Sequence, residues 1–277
     1  MNQNPFSFYD FLGYMLPGAL LLYIVTFVFG VDDMVLKLSL EDANNSTANQ
    51  LLSFIPAVIF SYLLGHVLAI GSSAFIEAFT QYSNGYPSEF LFDVKPKAYL
   101  SSDTWGGQLG RVVLWCLILP ISIFKFVLKD TLNIKMFNQA KPLPKPLREA
   151  AFNKCLAILD QQIKVDTSKM KIENGIDGDY LRLLYHFVFE NSERHAGKLQ
   201  NYVALYGLTR NVSFVFIVLF WGALYSYFFA TQFNIGQVHI FSFAALAYIF
   251  YIGFIKFYRR YSLEAVMAAS IFSEKNG

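Results

Sequence analysis

The sequence predicts an all-α fold: a polytopic helical membrane protein with about four transmembrane helices, one interfacial or re-entrant helix and a cytoplasmic helical region. Three observations carry this. Of the 277 residues, 55% are hydrophobic and only 15% are charged, where soluble domains carry about a quarter. Mean hydropathy is +0.39, and the missing charge is concentrated in a few long apolar blocks, as lipid-facing helices require. Aromatic residues make up 18% of the chain and gather near block ends, where an apolar ring body and a polar tip suit the membrane–water boundary. The net charge of +2 supplies no basic surface of the kind that holds nucleic acid, so direct nucleic-acid binding is not expected.

The first block starts after an aromatic run, Phe6, Phe8, Tyr9, Phe11 and Tyr14, and continues to Gly30. No basic n-region precedes it and Asp10 interrupts it, so it reads as a retained helix rather than a cleaved signal. Pro17 and Gly18 fall in its first turns, where neighbours can satisfy the carbonyls a proline releases. Val31–Gln50 then carries Asp32, Asp33, Glu41 and Asp42 against Lys37 alone. Scarcity of basic residues beside a span marks the non-cytoplasmic side.

Leu51–Phe79 follows, 29 residues or about 43 Å of helix, longer than a hydrocarbon core of about 30 Å. Its end, with Glu77, is expected to project into the cytoplasm. Ser61, Gly65, Ala69 and Ser73 make a small-residue ladder for close helix packing. His66 and Glu77 are the intramembrane polar candidates, because an ionisable group at bilayer depth is costly unless it faces protein or water. For His66 the choice lies between a proton or ion site or pH sensor and a neutral ring bonded to a hydroxyl partner such as Tyr62, Ser213 or Ser226.

Residues 80–140 read as a surface connector broken by Gly85, Pro87, Gly106 and Gly107. Within it, 112–128 is apolar but interrupted by Pro120. The uncharged stretch between Arg111 and Lys125 has 13 residues, about 20 Å of helix, too short to cross unaided. Lys125–Arg210 contains 14 Lys and Arg against 9 Asp and Glu, which places it in the cytoplasm by charge. An interfacial or re-entrant 112–128 reconciles that with the acidic first loop; a crossing segment requires five spans with an outside N-terminus, or a basic periplasmic domain.

The cytoplasmic region, 141–210, opens on the stiff KPLPKP spacer. It continues in an amphipathic helix with stripes Leu147, Ala151, Cys155, Leu159 and Phe152, Leu156, Ile163. After ENGIDGD, with Asp177 or Asp179 as N-cap, apolar residues recur at three and four from Leu181 to Tyr206. They predict one helix running uninterrupted from Tyr180 into the next span, with Gly197 and Gly207 as places to bend. Ser192, Arg194 and His195 are expected to form a polar notch on it. Two further spans, Val212–Ala230 and Val238–Tyr258, are separated by an uncharged loop, and Arg259 and Arg260 are expected to stop the last. The tail, 261–277, reads as a short separate amphipathic helix. The domain plan is thus 1–79, 80–140, 141–210, 211–260 and 261–277, with both termini cytoplasmic in a bacterial inner membrane.

The sequence points to no enzyme. His66, His186, His195 and His239 are scattered, and no phosphate loop or metal-ligand spacing is present, so no cofactor is expected. Arg194 and His195 are adjacent, and Arg182 and His186 have three residues between them, unlike the Arg-then-His spacing of helical ribonuclease domains of the HEPN type. Cys116 and Cys155 lie in unlike segments and predict no disulfide.

Three stretches, FYDFLGYMLPG at 8–18, SYLLGHVLAIGSSAFIE at 61–77 and YVALYGLTRNVSF at 202–214, resemble a loose group of uncharacterised bacterial multi-pass membrane proteins, some of which accompany anti-phage defence genes. The resemblance implies a membrane component that acts as a homo-oligomer, contacts membrane lipids and works with a cytoplasmic protein partner. It carries over no active-site residue. An ion or proton channel or transporter with His66 in its path is the competing expectation.

Overall fold

A computed structural model describes residues 8–29, 47–102, 104–134, 141–230 and 235–272, without the side chains of 8, 47–53, 129 and 130. The acidic loop at 31–46, most of the uncharged loop before Gln237, and Lys275 lie outside the described residues. The described residues are 81% helical, with no strand among them. Among the described residues four helices are long and apolar enough to cross a membrane, so the chain is an all-α polytopic membrane protein.

The helices divide between two compact units, each drawn from separate parts of the chain. The first comprises Met1–Glu77, Cys116–Asn133 and Gly207–Phe254. Its helix α1, Leu16–Val28, follows a π-helical turn at Phe11–Met15. Helix α2, Thr47–Ser72, ends in a second π-helical turn at Ser73–Glu77. The packing of α1 on α2 is close enough to require glycine. A Cβ on Gly18 would collide with the Ser61 carbonyl, and one on Gly65 with the Tyr14 carbonyl.

Helix α3, Trp105–Leu117, and helix α4, Leu119–Phe124, meet at a 90° bend, and a π-helical turn at Lys125–Thr131 extends α4. Pro120 causes the break, since it offers no N–H to the Cys116 carbonyl and its ring opposes helix continuation.

Helices α7, Glu193–Phe229, and α8, Gln237–Ser270, complete the first unit through their residues 207–229 and 237–254. Contacts fix which helix ends lie together. Gly13 meets Asn211, Glu77 meets Arg210, and Gly253 packs on Thr209 at one end. Phe29 packs beside Gly222, and Tyr227 accepts from Gln237 Nε2 at 3.2 Å, at the other. The four spans therefore alternate in direction.

The second unit comprises Ala78–Trp115, Ile134–Tyr206 and Ile255–Gly277. Helix α5, Lys145–Gln161, buries Ala151, Phe152, Cys155, Ile158 and Leu159. Helix α6, Gly178–Asn191, is capped by Asp177, whose carboxylate accepts the Asp179 N–H at 3.0 Å. Three expectations are corrected here. The 80–140 segment is not wholly a surface connector, because Phe90, Leu91 and Phe92 are buried in this core, and Leu143 N–H pairs with the Leu91 carbonyl at 2.9 Å. The helix from Tyr180 is not continuous: Ser192 adopts extended backbone (φ −144°, ψ 95°), closing α6 and opening α7. Its carbonyl accepts from His195 N–H (3.1 Å) and Ala196 N–H (2.9 Å), and serine with glutamate after it suits a helix start. The tail is not a separate helix, because α8 runs through Arg259 and Arg260 to Ser270, and Ala265, Val266, Ala268 and Ala269 bury against α5 and α6 residues.

Candidate functional site

A connected set of polar groups in the first unit lies where Gly13, Glu77 and Arg210 converge. Between Arg210 and Lys256 the sequence has no Asp, Glu, Lys or Arg, and none falls between Asp42 and Glu77. Arg210 and Glu77 are therefore the first charges beyond two long apolar spans, and both are mostly buried, at 10% and 17% side-chain exposure. An arginine in such a place must be paired and hydrogen-bonded to remain charged at acceptable cost.

Arg210 Nη1 donates to Glu77 Oε2 at 2.7 Å, and Arg210 Nε donates to Ser72 Oγ at 3.0 Å. Ser73 Oγ donates to the same Glu77 oxygen at 3.0 Å. Ser72 Oγ lies within hydrogen-bond reach of Asn211 Oδ1. Asn211 Nδ2 donates to the Gly13 carbonyl at 2.6 Å. The direction of the amide follows from that last bond, since a carbonyl can only accept.

Local sequence explains why these atoms are available. The residue four beyond Gly13 is Pro17, which has no N–H to give it, so the Gly13 carbonyl is released from the helical ladder. The wide turn at Phe11–Met15 turns it toward α7, and Asn211 replaces the missing donor. The second wide turn, Ser73–Glu77, swings Glu77 to the same place. Single π turns inside helices recur at functional sites. Here they bring two helix ends onto adjacent residues of a third helix, Arg210 and Asn211.

The expected site residues are distributed as follows. Glu77 is in the cluster. His66 is not: its ring stacks on Tyr14 (4.1 Å between centroids, 21°) and meets the edge of Tyr62 (4.6 Å, 88°). Ser213, one of its suggested partners, donates instead to the Ala247 carbonyl at 2.8 Å. Ser61 and Gly65 face α1, but the buried seam then shifts to Leu68, Ser72 and Ile76, leaving Ala69 half-buried and Ser73 exposed. Spacing by fours had favoured Ser73, and one three-residue step in the seam moves the contact to Ser72.

Ser192, Arg194 and His195 do not form a common notch. Ser192 is the helix junction, Arg194 is exposed, and His195 Nδ1 lies 2.7 Å from Glu264 Oε1 with Lys198 Nζ 3.7 Å from the same oxygen. Glu264 and Asn211 were missed, and the only sequence signal for Asn211 is its position after the arginine that ends a charged region.

Chemically the cluster pairs a charge and satisfies a released carbonyl. Among the described residues no group of three or more His, Cys, Asp or Glu is placed to hold a metal ion. In the second unit a cleft of about 600 Å³ is lined by Lys95, Lys145 and Arg148 but equally by Asp93, Glu149 and Glu173, so its charges cancel. Burial holds the Cys155 thiol protonated, its pKa pushed up to about 12. Compared with family models, curated proteins and solved structures, the chain shows no significant match.

Proposed function

We propose that this chain is a non-enzymatic, homo-oligomeric inner-membrane protein that couples a cytoplasmic helical region to the bilayer. Its setting is anti-phage defence, where it senses or permeabilises the membrane or recruits a cytoplasmic effector. The observation that carries the coupling is the Glu77–Arg210 pair. Arg210 sits on α7, the helix that also bears His195, fifteen residues or about 22 Å nearer its start. A shift or rotation of α7 imposed at the His195–Glu264 contact must either carry Arg210 with it or break a mostly buried ion pair. A mostly buried charge pair has two well-separated states, made and broken, which is what a switch needs.

The orientation, with the basic 141–206 region and both termini in the cytoplasm, rests on the positive-inside rule. The competing channel or transporter reading needs His66 to face water, and its stacking on Tyr14 and edge contact with Tyr62 support a packing role instead. Phage challenge of bacteria expressing the protein tests the proposal, with plaque number and membrane potential as readouts. The wild-type protein lowers plaque number or collapses the potential, and Arg210→Gln, expressed to the same level, does neither. Identical behaviour of wild type, Arg210→Gln and empty vector across a broad phage panel rejects the defence reading.

A further inference from the structure

We propose that the α3–α4 pair enters and leaves the membrane at one face, and that its outward apolar side is a docking surface for the acyl chains of that single leaflet. Two contacts within the first unit give depth along the chain. The Trp221 indole N–H donates to the Leu117 carbonyl at 2.7 Å, and Trp221 lies eleven residues past Arg210, about 16 Å along α7. Phe124 stacks on Tyr248 (5.4 Å, 18°), five residues before Gly253, which packs on Thr209; that is about 8 Å from the same end. From residue 117 to residue 124 the chain therefore moves back toward the end that holds Arg210. A core of about 30 Å puts the bend near the bilayer centre.

Parity gives the same answer independently. Glu77 and Arg210 touch, so they lie at the same end of the spans, and residues 78–209 must cross an even number of times. The α3–α4 pair is the one candidate span between them among the described residues, so it cannot cross alone.

The break at the bend is chemically closed. Ile121 N–H bonds the Ile118 carbonyl at 2.9 Å rather than that of Leu117. The released Leu117 carbonyl would be costly at bilayer depth, and Trp221 supplies its donor. Ile118 and Ile121 are buried at 1% and 0% exposure, whereas Leu117, Ile123, Phe126 and Val127 remain open. Lys125 follows Ile123 and Phe124 on the returning arm, where its flexible stem can carry the charge out to the interface. An open apolar face that reaches mid-bilayer on a segment turning back toward the end it came from fits lipid tails of one leaflet.

The test uses the full-length protein with Cys116→Ala, in which Leu100→Cys or Leu132→Cys is exposed to a membrane-impermeant maleimide in right-side-out and inside-out vesicles. Both sites label in the same vesicle type and labelling is lost in the other. Labelling in opposite vesicle types would show a crossing segment and overturn the proposal. A nitroxide on Phe126→Cys then reports the occupant. Collisions with oxygen exceeding those with a polar nickel complex, without spin–spin broadening, are expected for acyl chains. Broadening with oxygen shielding means a second copy covers the face, and dominant nickel collisions mean water does; either removes the lipid surface.

Discussion

Asn211 donates its side-chain N–H to the Gly13 carbonyl at 2.6 Å, and that carbonyl is free because Pro17, four residues on, has no N–H. The two residues form a complementary pair across 198 positions of sequence: one removes a helical hydrogen bond and the other restores it from a neighbouring helix. An unsatisfied buried carbonyl costs about 1–3 kcal/mol, so Asn211→Ala is expected to destabilise the protein by that order. In a Pro17→Ala background, where residue 17 can donate to Gly13 itself, the same substitution costs less. Additive effects in a double-mutant cycle of detergent unfolding would contradict the pairing.

Breaking the charge pair is the more severe change. Removing one partner of a mostly buried ion pair costs about 3–5 kcal/mol because the other is left uncompensated. Arg210→Met and Glu77→Gln should each lower thermal stability strongly, and the double variant should recover a substantial part. A double variant as unstable as the sum of the singles would mean the pair is not coupled.

Helix α1 has no room for a side chain at Gly18. Overpacking a tight interface costs about 1–3 kcal/mol, and here the obstacle is the Ser61 backbone rather than a movable side chain. Gly18→Ala should therefore weaken the α1–α2 contact measurably, while Gly106→Ala, where the space is open, should not. Equal stability of the two variants would argue against this packing.

The Cys155 thiol, fully buried and with its pKa pushed up to about 12, presents roughly one thiolate in ten thousand at pH 8 and no access. In a Cys116→Ala protein, maleimide uptake is expected only after denaturation. Prompt uptake by the folded protein would place α5 differently.

The apolar spans were legible because length and composition fix them: an uncharged run from Arg210 to Lys256 leaves no choice but lipid or deep burial. The clamp was not legible as a unit. Glu77 and Arg210 each stood out as the charge that ends a span, but periodicity reports faces of one helix and not partners 133 residues apart. The Ser192 junction was hidden because apolar spacing continues through it, from Val188 to His195 and Leu199, and pattern outvoted a serine followed by glutamate. The continuation of α8 past Arg259 was masked by reading two arginines as a stop. Arg259 instead donates to the Lys141 carbonyl at 3.0 Å, and the helix goes on to fill a core.

Coupling along α7 is tested most directly by hydrogen exchange of the full-length protein in nanodiscs, comparing wild type with Glu77→Gln. Release of Arg210 is expected to speed exchange at residues 193–206 as well as near residue 77, which would show that the clamp reaches the half of the helix that precedes its apolar span. Faster exchange confined to residues near 77, with 193–206 unchanged, would contradict it.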